Sequence, residues 1–151
     1  MPADIIDETG DASLAAAAER VAAALLELLE RADCELTVVL VDDERIRELN
    51  AQWRGKDKAT DVLSFSQLEG EGLPLASGLL GDVVVSAQKL RVQARDGGWT
   101  DEEELARLIL HGLLHLLGFD HEVDEDARVM QAEERRLAFA LHDRGIGCAT
   151  G

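Results

Sequence analysis

The chain has 151 residues, 46% of them hydrophobic, which suits one domain over residues 1–151 with a real apolar core and excludes a disordered chain. Acidic residues outnumber basic ones 31 to 15, for a formal net charge of −16. Attraction of the whole molecule to nucleic acid or anionic lipid is therefore not expected, and any polyanion contact needs a local basic patch.

The acidic start, MPADIIDETG, lacks the basic opening of a signal peptide. Ser13–Arg31 reads as a first helix, with Leu14, Ala17, Val21, Leu25 and Leu28 near a 3.6-residue period. Glu19, Arg20, Glu27 and Glu30 interrupt it, and a membrane span needs roughly 20 apolar residues in a row. Cys34 and Cys148 lie far apart and neither belongs to a CxxC pair, so they read as free thiols of a soluble protein in a reducing, cytoplasmic compartment.

Glu35–Val41, ELTVVLV, is a β-branched run of strand length. Asp42 can cap a short helix, DDERIRELNAQW, with Ile46 and Leu49 inward. RGKDKAT reads as a polar loop, and DVLSFS as a strand alternating Val62, Ser64 and Ser66 against Leu63 and Phe65. Gly70–Gly78 is a turn-rich excursion, GDVVVS another short strand, and Ser86 a cap for a helix that Gly97-Gly98 stops at about Asp96. Thr100 opens the clearest helix: TDEE is a capping box, its acids suit the helix dipole, and Leu105, Leu108, Ile109, Leu113 and Leu116 form a buried stripe. Gly118 sits where a left-handed cap ends that helix. Asp124 can cap a last helix to about Asp143, with Val129, Leu137 and Leu141 apolar and His142 complementing the dipole at its end. Strands and helices mix without strict alternation, so the expected fold class is α+β, a small mixed β-sheet packed with helices.

Three of the four histidines fall in HGLLHLLGFDH, residues 111–121. His111 and His115, four apart on a helix, stand on one face and can share an ion. Gly118 permits the chain to turn back, and His121 can close on the same ion from the loop. Three neutral imidazoles suit zinc and leave a fourth tetrahedral position open, the pattern of a catalytic centre. Water in that position has its pKa lowered to about 7, which makes hydroxide available at neutral pH. The expected metal centre thus lies on a helix and the turn after it. Metzincin proteases share this histidine spacing, but they carry a Glu general base after the first histidine, where this chain has Gly112. Peptide hydrolysis is the weaker reading for that reason.

Arg54, Lys56 and Lys58 place three cations within five residues of an acidic chain. On charge alone this is a solvated loop. Its place between a helix and a strand is one where functional loops often lie, and a guanidinium can hold phosphate oxygens and offset charge developing on a phosphoryl group. Lys89, Arg91 and Arg95 are expected to form a solvated face. Glu122, Asp124, Glu125 and Asp126, just past His121, oppose an RNA backbone there.

The segments NAQWRGKDKATDVLSFS, LLGDVVVS and LHGLLHLLGFDH together resemble the bacterial YbeY family of rRNA maturation endoribonucleases, over about Asn50–His121. The resemblance implies a small metalloprotein that cuts single-stranded RNA, matures the 3′ end of the small-subunit ribosomal RNA and takes part in ribosome quality control. It implies that His111, His115 and His121 are ligands of one zinc ion (Zn2+) per chain, and that Arg54, with Lys56 beside it, acts on the RNA. The implied partners are ribosomal RNA and the small ribosomal subunit, with no organic cofactor and no membrane. Ser66 and Ala59 depart from the family, which usually has Pro at both places. Asp120 is the carboxyl nearest the ligands in sequence and can orient a ligand or water. Two other readings are a metal-dependent hydrolase of peptide, amide or small-molecule substrates, and a non-enzymatic ribosome assembly factor in which the metal staples helix to loop.

Overall fold

The computed structural model describes residues 3–66, 79–119 and 123–150. The expected excursion at Gly70–Gly78, and Asp120, His121 and Glu122, lie outside the described residues. In chain order the elements are β1 (Ala3–Asp7), α1 (Ala12–Leu28), β2 (Glu35–Val41), α2 (Asp43–Arg54), β3 (Val62–Ser66), β4 (Leu79–Ser86), α3 (Ala87–Gly97), α4 (Asp101–Leu116) and α5 (Asp124–Asp143). The sheet order is β1-β2-β4-β3. β1, β2 and β4 run parallel, and β3 is antiparallel to β4. This is the α+β arrangement with a mixed sheet that the sequence implies. Among the described residues no helix is long and apolar enough to cross a membrane.

The pleat sends alternate residues to opposite faces. Leu36, Val38, Leu40, Val83 and Val85 meet α1 and α4 in the main core, with Leu25, Leu105, Ile109 and Leu113 fully buried between them. Val41 and Val84 point the other way, against Ile46 of α2, in a much smaller cluster with Val39, Leu63 and Phe65 at its margin. One face of the sheet is therefore deeply covered, and the other has only α2 over part of it.

Local capping accounts for most helix ends. The Asp42, Ser86 and Thr100 side chains accept from the third backbone N–H beyond them, and Glu103 returns the bond to Thr100 in a complete capping box. Four expectations need correction. β1 was not expected: Ile5 and Ile6 among acids look like loop, and only pairing with Leu36–Leu40 makes them a strand. α1 starts one residue earlier than Ser13, at Ala12, because Asp11 caps it. Asp124 is the first helical residue of α5, and its N-cap is Val123, which makes no side-chain bond. Val129 is 53% exposed, and Met130 takes the buried place beside it. Of the expected solvated face on α3, Arg91 reaches Asp11 in an ion pair.

Candidate metal centre and adjoining cleft

α4 carries His111 and His115 on one face, their Nε2 atoms 3.2 Å apart and ring planes 75° from parallel. Two ligands of one tetrahedral zinc, at bonds of about 2.0–2.1 Å, stand roughly 3.3 Å apart. The pair has that spacing. Nδ1 of His111 faces Oε2 of Glu134, on α5, at 3.0 Å. A carboxylate accepts only, so in the neutral ring this nitrogen carries the proton and the Nε2 lone pair is left on the side of His115. A carboxylate behind a histidine in this way fixes its tautomer and ring orientation for a metal. The two imidazoles are therefore spaced as two donors to one divalent ion would be. Among the described residues no group of three potential ligands gathers, and the third residue expected here, His121, lies outside them. Gly118, at φ +98°, makes the turn after α4 in a conformation that side chains disfavour.

Gly112, between the two histidines, is set by packing. A Cβ there would stand 2.7 Å from Cγ1 of Val83 and 3.0 Å from Oγ of Ser64. α4 lies so close to the sheet that any Cβ at this position forces Val83 or Ser64 to shift, and the larger side chain of a glutamate general base is opposed by volume. The Ser64 hydroxyl donates to the Gly112 carbonyl at 2.9 Å, which pins β3 to α4 beside His111. The backbone carbonyl of the same Ser64 accepts from Nη2 of Arg54.

Through Ser64, then, the arginine at the end of α2 and the histidines of α4 come to one place. They line a single cleft of about 410 Å³ with Thr60, Asp61 and Ser66. The Arg54 guanidinium also lies over the Phe65 ring, 4.8 Å from its centroid. Lys56 and Lys58 are exposed on the adjoining loop and are not among the cleft residues. That loop is held by Asn50, which is 3% exposed. Its side-chain amide donates to the Lys58 carbonyl, and its own carbonyl accepts from the backbone of Gly55 and Lys56. Bidentate pairing of Arg47 with Asp57 braces the loop further, raising the arginine's pKa and lowering the aspartate's.

Three features escape a reading of the sequence alone. Glu134 has no motif around it. Asp61 puts a carboxylate in the cleft wall, its oxygens taken by the Val62 N–H and the Gln93 amide. Gln93 also donates to Glu104, a carboxylate 2% exposed whose other bonds come from Arg107. Both cysteines are free, as expected, and burial pushes the Cys148 thiol up to about 12, so it stays protonated and inert.

The sequence model of the family described as Endoribonuclease YbeY matches residues 4–142. The chain is 52% identical over 119 residues to the Endoribonuclease YbeY of Anaeromyxobacter dehalogenans (strain 2CP-C), covering 79% of this chain and 60% of that protein. It is 50% identical over 107 residues to the one of Sulfurihydrogenibium sp. (strain YO3AOP1), covering 70% of this chain and 69% of that one. Its fold is similar to the solution structure of TM1509 from Thermotoga maritima, with a TM-score of 0.62 and 31% identity over 89% of this chain and 85% of the other. The chain thus spans about 60% of the length of the Anaeromyxobacter relative.

Proposed function

The chain belongs to the YbeY endoribonuclease family, and on that premise we propose that it is a metal-dependent endoribonuclease cutting single-stranded RNA. The observation that carries this reading is the shared cleft: a pair of imidazoles at zinc-ligand spacing and an arginine, tied together through Ser64. His111 and His115, with His121 as third ligand, would hold one zinc ion. The chemistry such an ion supplies is Lewis acidity toward water and a phosphodiester oxygen.

The protein's own contributions follow from its geometry. Glu134 holds His111 in the tautomer that offers Nε2 to the ion. Arg54, anchored to the Ser64 carbonyl and the Phe65 ring, brings a fixed positive charge to the scissile phosphate. Lys56, exposed on a loop tied down by Asn50, attracts the flanking backbone against the chain's overall negative field. Family membership favours ribosomal RNA as the substrate, at the 3′ end of the small-subunit RNA, with a role in ribosome quality control in the cytoplasm. Peptide hydrolysis by a metzincin-like mechanism is opposed by Gly112, where a glutamate has no room.

The test is cleavage of a labelled single-stranded RNA by purified protein, beside Arg54→Ala and His115→Ala. Both variants should lose cleavage while keeping the fold. Cleavage that survives both changes, or removal of the metal, would overturn the reading. Metal binding and thermal stabilisation in a protein that never cuts RNA would favour a structural metal in an assembly factor.

A further inference from the structure

The sheet face that α2 covers in part carries a second cleft, of about 460 Å³, beside the first. Trp53 and Phe65 line it, and Ser66 lines both clefts. Trp53 is 60% exposed, in a chain with only two tryptophans, three phenylalanines and no tyrosine. It immediately precedes Arg54 in the last turn of α2. Phe65 packs edge-on against it, with ring centroids 6.5 Å apart, and holds the Arg54 guanidinium on its own face. A large apolar ring is thus supported from the side and left open to solvent, one residue from the cation of the candidate site.

We propose that Trp53 is a stacking platform for an unpaired base of the RNA strand whose phosphate Arg54 holds. This rests on the ribonuclease reading above and adds a contact to it. Stacking on an indole needs only a base's open face, which a single strand offers and a duplex has already used. The charges sort the two parts of a nucleotide. Glu8, Asp82 and Arg45 line the second cleft, with Arg45 3.8 Å from Glu8, so negative charge outweighs positive there and a neutral base suits it better than a phosphate. Arg54 lines the first cleft together with Asp61, whose oxygens accept from the Val62 N–H and the Gln93 amide, so the phosphate belongs at the guanidinium. The platform is a binding and specificity element, and the reacting atoms lie with the histidines.

The experiment measures binding of a fluorescein-labelled 12-nucleotide RNA to the metal-loaded protein by anisotropy, with a gel run beside it to show that the strand is intact. The probes are that strand, its duplex, and the strand with abasic positions. Trp53→Ala should weaken single-strand binding by roughly tenfold or more and leave weak duplex binding unchanged. Trp53→Tyr should restore most of the loss, and Trp53→Leu, apolar but without a stacking face, should not. An abasic substitution at the stacked position should weaken binding to the native protein and cost nothing further in Trp53→Ala. Leu serving as well as Tyr, or equal losses on single strand and duplex, would overturn the proposal. So would unchanged RNA affinity with a self-association that disappears in Trp53→Ala, which assigns the ring to a second copy of the chain. RNA bound without dependence on Trp53 sinks the platform alone, and RNA not bound by the native protein sinks the ribonuclease reading with it.

Discussion

Nδ1 of His111 and the carboxylate of Glu134 meet at 3.0 Å, from different helices and 23 residues apart. This contact orients the imidazole before any ligand arrives. Replacing Glu134 with Ala should weaken zinc binding by about 10–100-fold, read by competition with a chromophoric chelator. Glu134→Gln keeps an acceptor oxygen and should lose less. Equal affinity in all three proteins would show that the carboxylate does nothing for the ligand.

Gly112 is a packing residue in the middle of the candidate site. Gly112→Ala forces a methyl group into Val83 and Ser64, and overpacking of this kind costs about 1–3 kcal/mol. The urea midpoint should fall accordingly, and cleavage should fall with it, because α4 can yield only by moving both histidines away from β3. A variant as stable and active as the native chain would mean that α4 lies farther from the sheet than described. Gly112→Glu should not fold, which separates this architecture from the metzincin arrangement that its histidine spacing resembles.

Asn50 shows how a buried amide can serve an exposed loop. Its three bonds to Gly55, Lys56 and Lys58 set the course of the chain that leaves Arg54. In Asn50→Ala the Lys58 carbonyl loses its donor, a bond worth about 0.5–1.5 kcal/mol net. RNA affinity should drop as Lys56 loses its fixed position, with metal affinity unchanged. A loss of metal affinity instead would place Asn50 in the support of α4.

How much of this was legible from the sequence depends on whether the cause is local. Asp42, Ser86 and the TDEE box announce helices through bonds to residues within three positions, and those starts are found where the sequence puts them. β1 depends on a parallel partner some thirty residues on, and five residues with two isoleucines cannot signal that. The site divides in the same way. The i, i+4 histidines and Arg54 are visible as motifs. Glu134 is visible only once the buried stripe of α5 is placed correctly. With Val129 taken as inward, the buried stripe runs past Glu133. With Met130, Leu137, Ala138 and Leu141 inward, as found, Glu134 lies on the stripe, and a carboxylate there stands out. Leu137 and Leu141 are inward as the sequence suggests, and the one misplaced position, Val129 for Met130, hid the i, i+4 neighbour of Glu134. Ser64 reads as an ordinary member of an alternating strand, and its role as the link between Arg54 and α4 exists only in three dimensions.

Asp11 offers a test at the far side of the fold, where no metal intervenes. Its carboxylate accepts from the Leu14 N–H as the cap of α1 and pairs with Arg91 of α3. These bonds, the backbone one foremost, hold its pKa below the ordinary 3.8. A depressed carboxylate stabilises the fold above its unfolded pKa, and the gain is lost as pH falls through the lower folded value. Asp11→Ala should lose about 1 kcal/mol at neutral pH from the cap. Asp11→Asn, which caps without charge, should lose less, because a pair this exposed contributes under about 1 kcal/mol. Both differences should shrink once the medium is acidic enough to protonate the native carboxyl, since the protonated acid is a poorer acceptor and no longer pairs with Arg91. Urea midpoints at neutral pH and well below pH 3.8 decide it. A gap between Asp11→Asn and the native chain that persists unchanged at the acid end would show that charge at this position does not contribute to stability.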